Sequence, residues 1–213
     1  MVGFMMRYHA AFRALAAADL SDAFRFSLVI GHDVTQWRAN WRFSESYAAR
    51  AEGGGVLLDL CHEIDMAACL FPGLELRSVE SLGHPAYPGV DMSSLLTLAS
   101  PQGAVGTVAM DYLCPRLVRQ TRIDGVGASH DFDYAAVSYR TILASGVNTG
   151  LHPQDRNDMF LDAMRDFLAI ARGRAPSENP HVPRFDAVQD TCGLIAAAWE
   201  ARRFTGQIAK DIP

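Results

Sequence analysis

Long apolar runs are missing from this sequence: no stretch approaches the roughly 20 residues that a membrane-spanning helix needs. Basic residues are also outnumbered, with 19 Lys and Arg against 24 Asp and Glu and a formal net charge of -5. This balance argues against a nucleic-acid-binding protein, and no cluster of Lys or Arg indicates an anionic membrane surface. The sequence therefore predicts a protein whose partners include neither nucleic acid nor a membrane.

Cysteine pairs are absent as well. The cysteines form no CxxC motif, and each lies in an apolar or mixed segment. This pattern favours reduced, partly buried thiols in a cytoplasmic protein over a disulfide framework. A secretory signal peptide is not predicted either, because Arg7, His9 and Arg13 interrupt the apolar N-terminal run. The four cysteines are Cys61, Cys69, Cys114 and Cys192.

The third missing pattern is the glycine-rich turn of a dinucleotide site. Such a site needs a GxGxxG motif after a strand and at the start of a helix, within a βαβ unit. The glycine run at 53–55 precedes a helix but lacks that context, and Gly125 and Gly127 lie between two predicted strands. The sequence therefore predicts no cofactor-binding residues, and we expect no cofactor to bind to this chain alone.

What the sequence does contain is an ordinary share of apolar residues, 49%, arranged with clear periodicities. Alternation with period two predicts strands, and apolar residues three and four positions apart predict helices. Helices that are segregated from a run of strands indicate an α+β fold, in which helices cover one face of a mainly antiparallel open sheet. We expect a single domain over residues 1–213. The predicted strands are 2–6, 24–33, 75–83, 92–99, 104–112, 117–124 and 129–140, and the predicted helices are 8–18, 56–71, 155–172 and 185–204.

Two regions of this predicted fold have no regular partner. Residues 34–54 are interpreted as a long irregular connection, and connections of this length tend to be functional or mobile. The uncovered face of the sheet must meet water or another chain. The sequence therefore favours a homo-oligomer that associates through this open face.

The segment richest in chemical groups is GGGVLLDLCHEID, residues 53–65. Asp59 and His62 are three residues apart on a predicted helix, so their side chains can lie side by side. A histidine beside a carboxylate can act as an acid/base catalyst near neutral pH. The alternative is a helix on which Asp59 and His62 only bond to neighbouring loops. A metal site at His62 and Asp65 is a weaker alternative, because no further ligands are evident, and no metal ligand is predicted.

Several longer stretches, taken together, resemble a known family. They are VGFMMRYH, WRANWRFSESYAARAEGGGVLLDLCHEIDMAACLFP, GAVGTVAMDYL, RIDGVGASHDFDY, FLDAMRDFLAIARGRAPSENP and DAVQDTCGLIAAAWEARRFTGQ. From about residue 2 to 207 they are similar to the C-terminal domain of the glucose–fructose oxidoreductase, inositol dehydrogenase and MocA oxidoreductases. The resemblance implies a fold like the C-terminal domain of glyceraldehyde-3-phosphate dehydrogenase. It also implies that residues 1–6 are the last strand leaving a Rossmann domain, which is itself absent from this sequence.

The same resemblance implies roles for the Asp–His pair. In this family the histidine relays the proton of the substrate hydroxyl while hydride passes between the same carbon and a nicotinamide. The matching residue here is His62, and Asp59 would contact the substrate or orient the histidine. Many members space the pair by four residues, whereas this chain spaces it by three, as in one branch of the family. The resemblance thus implies that His62 and Asp59 are catalytic and that the complete enzyme uses NAD or NADP.

Four further residues are candidates for substrate binding: Arg7, Trp37, Arg38 and Tyr47. Aromatic rings can stack on sugar faces, and arginine can bind hydroxyls or a carboxylate. Packing or loop anchoring is the alternative for each of them, and Tyr112 is expected to be a sheet residue. The expected partners are a small polyhydroxylated substrate and the missing nucleotide-binding domain, in cis or in trans. Sugars, cyclitols, sugar nucleotides and sugar acids all fit this description.

Two functions follow from these patterns. The first is the substrate-binding catalytic half of an NAD(P)-dependent sugar or cyclitol dehydrogenase, inactive on its own. The second is a non-catalytic sugar-binding or oligomerisation domain that has lost its cofactor half. Activity that appears when a nucleotide-binding half is added would separate the first from the second.

Overall fold

The computed structural model describes residues 1–37, 40–209 and 211–212. The helices are α1 (Ala10–Ala16), α2 (Val56–Asp59), α3 (His62–Leu70), α4 (Arg156–Ala171) and α5 (Gln189–Ala201). Short 3-10 helices occupy Met5–Tyr8, Val34–Gln36, Phe43–Glu45, Tyr47–Ala49 and Phe185–Ala187. The strands are β1 (Ala23–Gly31), β2 (Glu75–Gly83), β3 (Ser93–Ala99), β4 (Val105–Asp111), β5 (Val118–Gly125), β6 (Ala128–Asp133), β7 (Ser138–Leu143), β8 (Gly146–Gly150) and β9 (Arg203–Gln207).

These strands of the described chain form one sheet in the order β8-β7-β6-β5-β1-β4-β3-β2-β9. Neighbouring strands are antiparallel except for two parallel pairs, β1 with β4 and β2 with β9. Both parallel pairs join strands that are distant in sequence, which leaves room for the long crossover that a parallel pair requires. The predicted α+β fold with a mainly antiparallel open sheet is therefore confirmed.

The sheet buries one face beneath the helices. On β1, Phe26, Leu28 and Ile30 are buried, and on β4 Val108 and Met110 are buried on the same side. This alternation is the period of two that a half-covered strand shows. Helix α3 packs on β1 and β4, α2 packs on β3 and β4, and α5 packs on β2. The segment that carries the candidate catalytic residues is thus held directly on the centre of the sheet.

The strand predicted over residues 2–6 is wrong. Met5–Tyr8 forms a 3-10 helix, and residues 1–4 have no regular structure. Met6 and Tyr8 are buried, so the apolar character of the run does reflect a place in the core. The backbone bonds within its own turn, from His9 N–H to the Met6 carbonyl (3.0 Å). A short apolar run predicts burial, but its periodicity alone does not distinguish a strand from a buried turn.

The helix predicted over residues 56–71 is divided into α2 and α3. Leu60 leaves the helical conformation with φ of -106° and ψ of 27°. Its N–H still bonds to the Val56 carbonyl (2.8 Å), and the next helix starts with the bond from Asp65 N–H to the Cys61 carbonyl (3.1 Å). Asp59 therefore ends one helix and His62 begins the next.

Four strands differ from the predicted pattern. The strand predicted over 129–140 is two strands, β6 and β7, because the Asp133 carboxylate accepts hydrogen bonds from the N–H groups of Ala135 and Ala136 and closes a turn. β8 has no predicted counterpart, since Gly146–Gly150 shows little apolar alternation. β9 lies where the predicted helix 185–204 ends, because α5 stops at Ala201.

The cysteines are all free thiols, and three of them are half-buried as expected. The exception is Cys192, which is exposed on α5 although the sequence places it on that helix's apolar stripe. The stripe is carried instead by Val188, Ile195 and Ala198, which are buried. Among the helices of the described residues, none is long and apolar enough to cross a membrane.

Candidate functional site

The start of α2 depends on a glycine and a buried carboxylate. Gly55 has φ of +89°, a left-handed conformation that favours glycine. A side chain at this position would overlap the Asp91 carboxylate. Asp91 accepts hydrogen bonds from the Leu57 N–H (3.0 Å) and the Ser94 hydroxyl (3.0 Å). The glycine run thus lets α2 pack directly on Asp91, and this fixes the short helix that ends at Asp59.

Asp59 is held by two tyrosine hydroxyls. Tyr47 and Tyr112 each donate a hydrogen bond to one of its carboxylate oxygens, at 2.9 Å in the case of Tyr112. Tyr47 is exposed, whereas Tyr112 is buried. Burial, and after it the Asp59 charge, raise the pKa of Tyr112, so its hydroxyl stays protonated and remains a donor. Tyr112, which the sequence suggests only as a sheet residue, is therefore a direct partner of the candidate catalytic carboxylate.

His62 begins α3 and is half-buried. Its Nδ1 atom is enclosed and has no hydrogen-bond partner in the described part of the chain. The Phe4 ring meets the imidazole edge-on, with 6.3 Å between the ring centroids. Burial, and then Arg119, lower the pKa of His62 to about 4, so the imidazole is neutral at pH 7. His62 and Asp59 thus lie at adjacent helix ends, but no direct hydrogen bond joins them within the described residues.

The next residue on α3, Glu63, forms an ion pair with Arg119 of β5. Two hydrogen bonds join them, from Arg119 Nε to Oε1 (2.6 Å) and from Nη2 to Oε2 (3.3 Å). Burial raises the pKa of Glu63, and the Arg119 charge opposes that effect. The pair places a fixed positive charge near His62, which disfavours protonation of the imidazole. Neither Glu63 nor Arg119 is singled out by the sequence.

Arg7 contacts a different side of α3. Its guanidinium donates to both oxygens of Asp65, at 2.7 Å from Nη2 and at 3.0 and 3.1 Å from Nε. Both side chains are buried. The guanidinium is therefore held in an interior ion pair that ties the N-terminal segment to α3. The other candidate arginine, Arg38, lies outside the described residues.

Trp37 belongs to an aromatic cluster next to Tyr112. Its ring lies nearly parallel to Trp41, with 6.3 Å between centroids, and meets Tyr112 edge-on at 5.5 Å. The Trp37 Nε1 atom is enclosed and has no hydrogen-bond partner among the described residues. Because Tyr112 also contacts Asp59, the structure brings Trp37, Tyr47 and Asp59 together around this one tyrosine.

A cleft of about 260 Å³ opens beside Arg119. His9, Tyr134, Tyr139 and His152 contribute to its lining. Burial, then Arg119 and His152, lower the pKa of His9 to about 4, so its imidazole is neutral at pH 7. Neutral imidazole and phenol groups can exchange hydrogen bonds with hydroxyls without adding charge. The cleft is therefore a second surface, beyond the aromatic cluster, that suits a polyhydroxylated ligand.

The groups around Asp59 and His62 are suited to proton transfer on a hydroxylated molecule. A neutral imidazole can accept a proton, and a carboxylate held by two tyrosines can still accept bonds from further hydroxyls. The Trp37 ring offers an apolar surface to the C–H groups of a sugar. In the described ranges, no three His, Cys, Asp or Glu side chains are grouped so as to hold a metal ion.

Residues 8–135 match the model of the GFO/IDH/MocA C-terminal domain. Among solved structures, the UDP-N-acetylglucosamine 3-dehydrogenase of Acidithiobacillus ferrooxidans is 17% identical with a TM-score of 0.70. Levoglucosan dehydrogenase, solved with NADH and levoglucosan, is 22% identical with a TM-score of 0.70. An oxidoreductase from Agrobacterium radiobacter, solved with NAD+, L-tartaric acid and magnesium, is 15% identical with a TM-score of 0.72. No curated protein matches the chain.

These structures cover 94% of the chain, whereas the chain covers 60%, 63% and 62% of theirs, respectively. The chain therefore spans less than two thirds of the length of these relatives. At these identities the likeness establishes the fold, which is a mixed α+β domain with one large sheet. The sheet of the described residues contains no Rossmann half.

Proposed function

The chain belongs to the GFO/IDH/MocA C-terminal-domain family, and on that basis we propose that it is the substrate-binding half of an NAD(P)-dependent sugar or cyclitol dehydrogenase. The observation that carries the proposal is the junction of α2 and α3, where Asp59 and His62 lie beside an aromatic cluster. Relatives named for UDP-N-acetylglucosamine and levoglucosan support a sugar-like substrate. NAD or NADP would be bound mainly by a nucleotide-binding half, in cis or in trans.

In this proposal a substrate alcohol is oxidised to a carbonyl compound, with His62 as the proton acceptor. The nicotinamide supplies the acceptor for the hydride that leaves the carbinol carbon. The hydroxyl proton passes to the His62 imidazole, so the C–H and O–H bonds break while the C=O bond forms. Because the pKa of His62 is about 4, the imidazole is unprotonated at pH 7 and able to receive that proton.

Asp59 would orient the substrate. Each of its oxygens already accepts one tyrosine hydroxyl, and each retains a lone pair for a substrate hydroxyl. Trp37 would pack against the apolar face of the sugar, with Tyr47 at the exposed edge. Arg38 stays a candidate for substrate binding, and Arg7 would act indirectly by holding the N-terminal segment against α3.

One observation favours the second function, a non-catalytic sugar-binding or oligomerisation domain. Asp59 and His62 share no hydrogen bond within the described residues, and Phe4 contacts the imidazole. A histidine with a pKa of about 4 is a weak base as it stands. In that case the chain would bind sugars without any effect of a nicotinamide cofactor.

We also propose that the open sheet face is a contact between copies of the chain. Leu95 and Val105 are exposed on this face, and Ser27 and Thr107 give it a flat, small-residue centre. Exposed apolar residues on a flat surface favour self-association. Sedimentation of the chain at increasing concentration should show a dimer or larger species, and Leu95→Glu should shift the population to monomer. A monomer at every concentration would reject this part of the proposal.

Turnover decides between the two functions. The full chain is fused behind the NAD-binding domain of levoglucosan dehydrogenase, and nicotinamide absorbance is followed with a panel of sugars and cyclitols. We expect His62→Asn to lower kcat about a hundredfold or more. The matched control His84→Asn, at a histidine that packs against Tyr87, should leave kcat unchanged. Sugar binding without turnover, unaffected by His62→Asn, would establish the second function instead.

A further inference from the structure

Positive charge predominates in the lining of the cleft beside Arg119. Arg119 comes from β5 and Arg156 begins α4, and both arginines line the cleft. Within the described residues Arg156 forms no ion pair, and its guanidinium lies 6.0 Å from the Phe160 ring centroid. Asp155 is the only acidic residue in the described lining. The cleft therefore presents two arginines against one carboxylate.

Arg119 keeps hydrogen-bonding capacity that its ion pair does not use. Glu63 accepts hydrogen bonds from the Nε and Nη2 atoms of Arg119. Among the described residues, Nη1 bonds only to the Met6 sulfur (3.4 Å), which is a weak acceptor. A carboxylate or phosphate oxygen is a far stronger acceptor for a guanidinium group. Because Met6 and Arg119 both line the cleft, a ligand there can replace the sulfur as the partner of Nη1.

Two histidines register the electrostatic field of Arg119. Its charge lowers the pKa of His9, which lines the cleft, and the pKa of His62, in each case after burial. His152 adds to the effect on His9. No acidic group raises either pKa, so the Glu63 carboxylate does not cancel the field at these positions. A cleft of positive potential attracts a negatively charged ligand.

We infer that this cleft binds an anionic group of the substrate, a carboxylate or a phosphate, against Arg119, so that the substrate is an acidic and not a neutral sugar or cyclitol. The inference rests on the proposed function and selects one class among the polyhydroxylated molecules. The remaining lining suits the ring of such a molecule. Leu117 and Val137 are exposed there and offer apolar surface to its C–H groups, and the neutral His9 imidazole can bond to its hydroxyls.

An anion at Arg119 would also make His62 a stronger base. Once the Arg119 charge is balanced, it no longer opposes protonation of the imidazole, whereas the effect of burial persists. The pKa of His62 then rises without reaching its ordinary value. The proton acceptor is therefore strengthened when an acidic substrate is bound, and a neutral substrate leaves it a weak base.

NMR titration of the full chain with D-glucuronate and D-glucose tests the inference. These sugars differ at C6, where one carries a carboxylate and the other a hydroxymethyl group. We expect D-glucuronate to bind about tenfold more tightly or better, as a charge-assisted hydrogen bond implies. In its presence the pKa of His9 should rise from about 4 to about 5 or above. D-Glucose 6-phosphate is the second probe, and the tighter of the two acids identifies the anionic group.

Variants at three arginines locate the anion. Arg119→Met should abolish the preference for the acids. Arg119→Lys keeps a charge for Glu63 and so protects the fold, but it lacks the forked guanidinium and should retain only part of the preference. Arg156→Met, at an exposed position, should weaken the preference severalfold. Arg122→Met is the matched control, because Arg122 lies on the same strand but pairs with Asp124 on the open face, and it should change nothing.

Three outcomes would overturn the inference: equal affinity for D-glucuronate and D-glucose, a preference for the acids that persists in Arg119→Met, or acetate that binds as tightly as D-glucuronate. The last would make the cleft a general anion site. The fusion to the NAD-binding domain of levoglucosan dehydrogenase separates this inference from the proposed function. Binding of acids without turnover keeps the anionic cleft and rejects the activity. Turnover of neutral sugars with no preference for acids keeps the activity and rejects the inference.

Discussion

Helix α3 carries two buried carboxylates whose ion pairs differ in their surroundings. Asp65 and Arg7 have side chains that are 0% and 5% exposed, whereas Glu63 and Arg119 are 1% and 20% exposed. The Arg7–Asp65 pair, called the closed pair below, is enclosed within the protein. The Arg119–Glu63 pair, called the open pair below, borders the cleft beside Arg119 and lies next to His62. One side of the helix is thus an anchor and the other is part of the candidate site.

The difference shows how one type of interaction serves two purposes. A buried carboxylate is costly unless it is paired, and both arginines meet that requirement. Arg7 also fastens the N-terminal segment, which brings Phe4 to His62. Arg119 also lowers the pKa of His62 and of His9, in each case as the second cause after burial. The closed pair therefore contributes mainly stability, and the open pair contributes an electrostatic field.

Breaking the closed pair should give the largest effect. Arg7→Met leaves Asp65 buried without a partner, which costs about 3–5 kcal/mol of the free energy of unfolding. Urea denaturation measures this cost. Arg25→Met is the matched control, because Arg25 pairs with Asp124 but is mostly exposed, and it should cost less than about 1 kcal/mol. Equal costs for the two variants would show that burial of the Arg7–Asp65 pair does not increase the cost of breaking it.

Breaking the open pair should cost less stability and change the site more. Arg119→Met leaves Glu63 unpaired, but water can approach, so we expect a loss of about 1–3 kcal/mol. The pKa of His62 should rise from about 4 without reaching its ordinary value, because burial is the larger cause and persists. An NMR titration of the imidazole measures the shift. Arg119→Lys keeps the charge and should leave the pKa low; a pKa that is the same in all three proteins would refute the role of Arg119.

The pH dependence of stability tests whether His62 and His9 are neutral in the folded protein. The pKa values of His62 and His9 are lowered to about 4 in the folded protein from an ordinary value of 6.5. Folding therefore favours the neutral imidazoles, and the stability they contribute is complete above pH 6.5 and lost as the pH falls toward 4. Urea midpoints between these pH values should fall less steeply for His62→Gln than for the unaltered chain. An unchanged slope for His62→Gln would contradict the assignment.

Local sequence patterns predict local structure here, and the site depends on contacts that they do not encode. The strand predicted over 75–83 has the bounds of β2, and the spacing of Asp59 and His62 indicates the segment that carries the candidate site. The partners of that segment come from far along the chain: Tyr112 is 53 residues from Asp59, and Arg119 is 56 from Glu63. No local pattern identifies Arg119 as the partner of Glu63. That residues 1–213 form a single domain stays a prediction.

The sequence does indicate one of these long-range contacts, that of Tyr112 with Asp59. Tyr112 follows Val108 and Met110 at intervals of two, so its ring is expected on the inward face of the sheet, beneath the helices. A buried tyrosine usually finds a partner for its hydroxyl. Joining these two expectations predicts a polar group on the covering helix, and Asp59 is that group.

The smallest effect is expected at the two tyrosines that donate hydrogen bonds to Asp59. Tyr112→Phe keeps the ring contact with Trp37 but removes one donor to Asp59, and should cost about 0.5–1.5 kcal/mol of unfolding free energy. Tyr47→Phe removes the other donor at an exposed position, where water replaces it, and should cost almost nothing. Urea denaturation of both variants and of the double variant measures the difference. A larger loss for Tyr47→Phe would mean that the exposed tyrosine, and not the buried one, holds Asp59 in place.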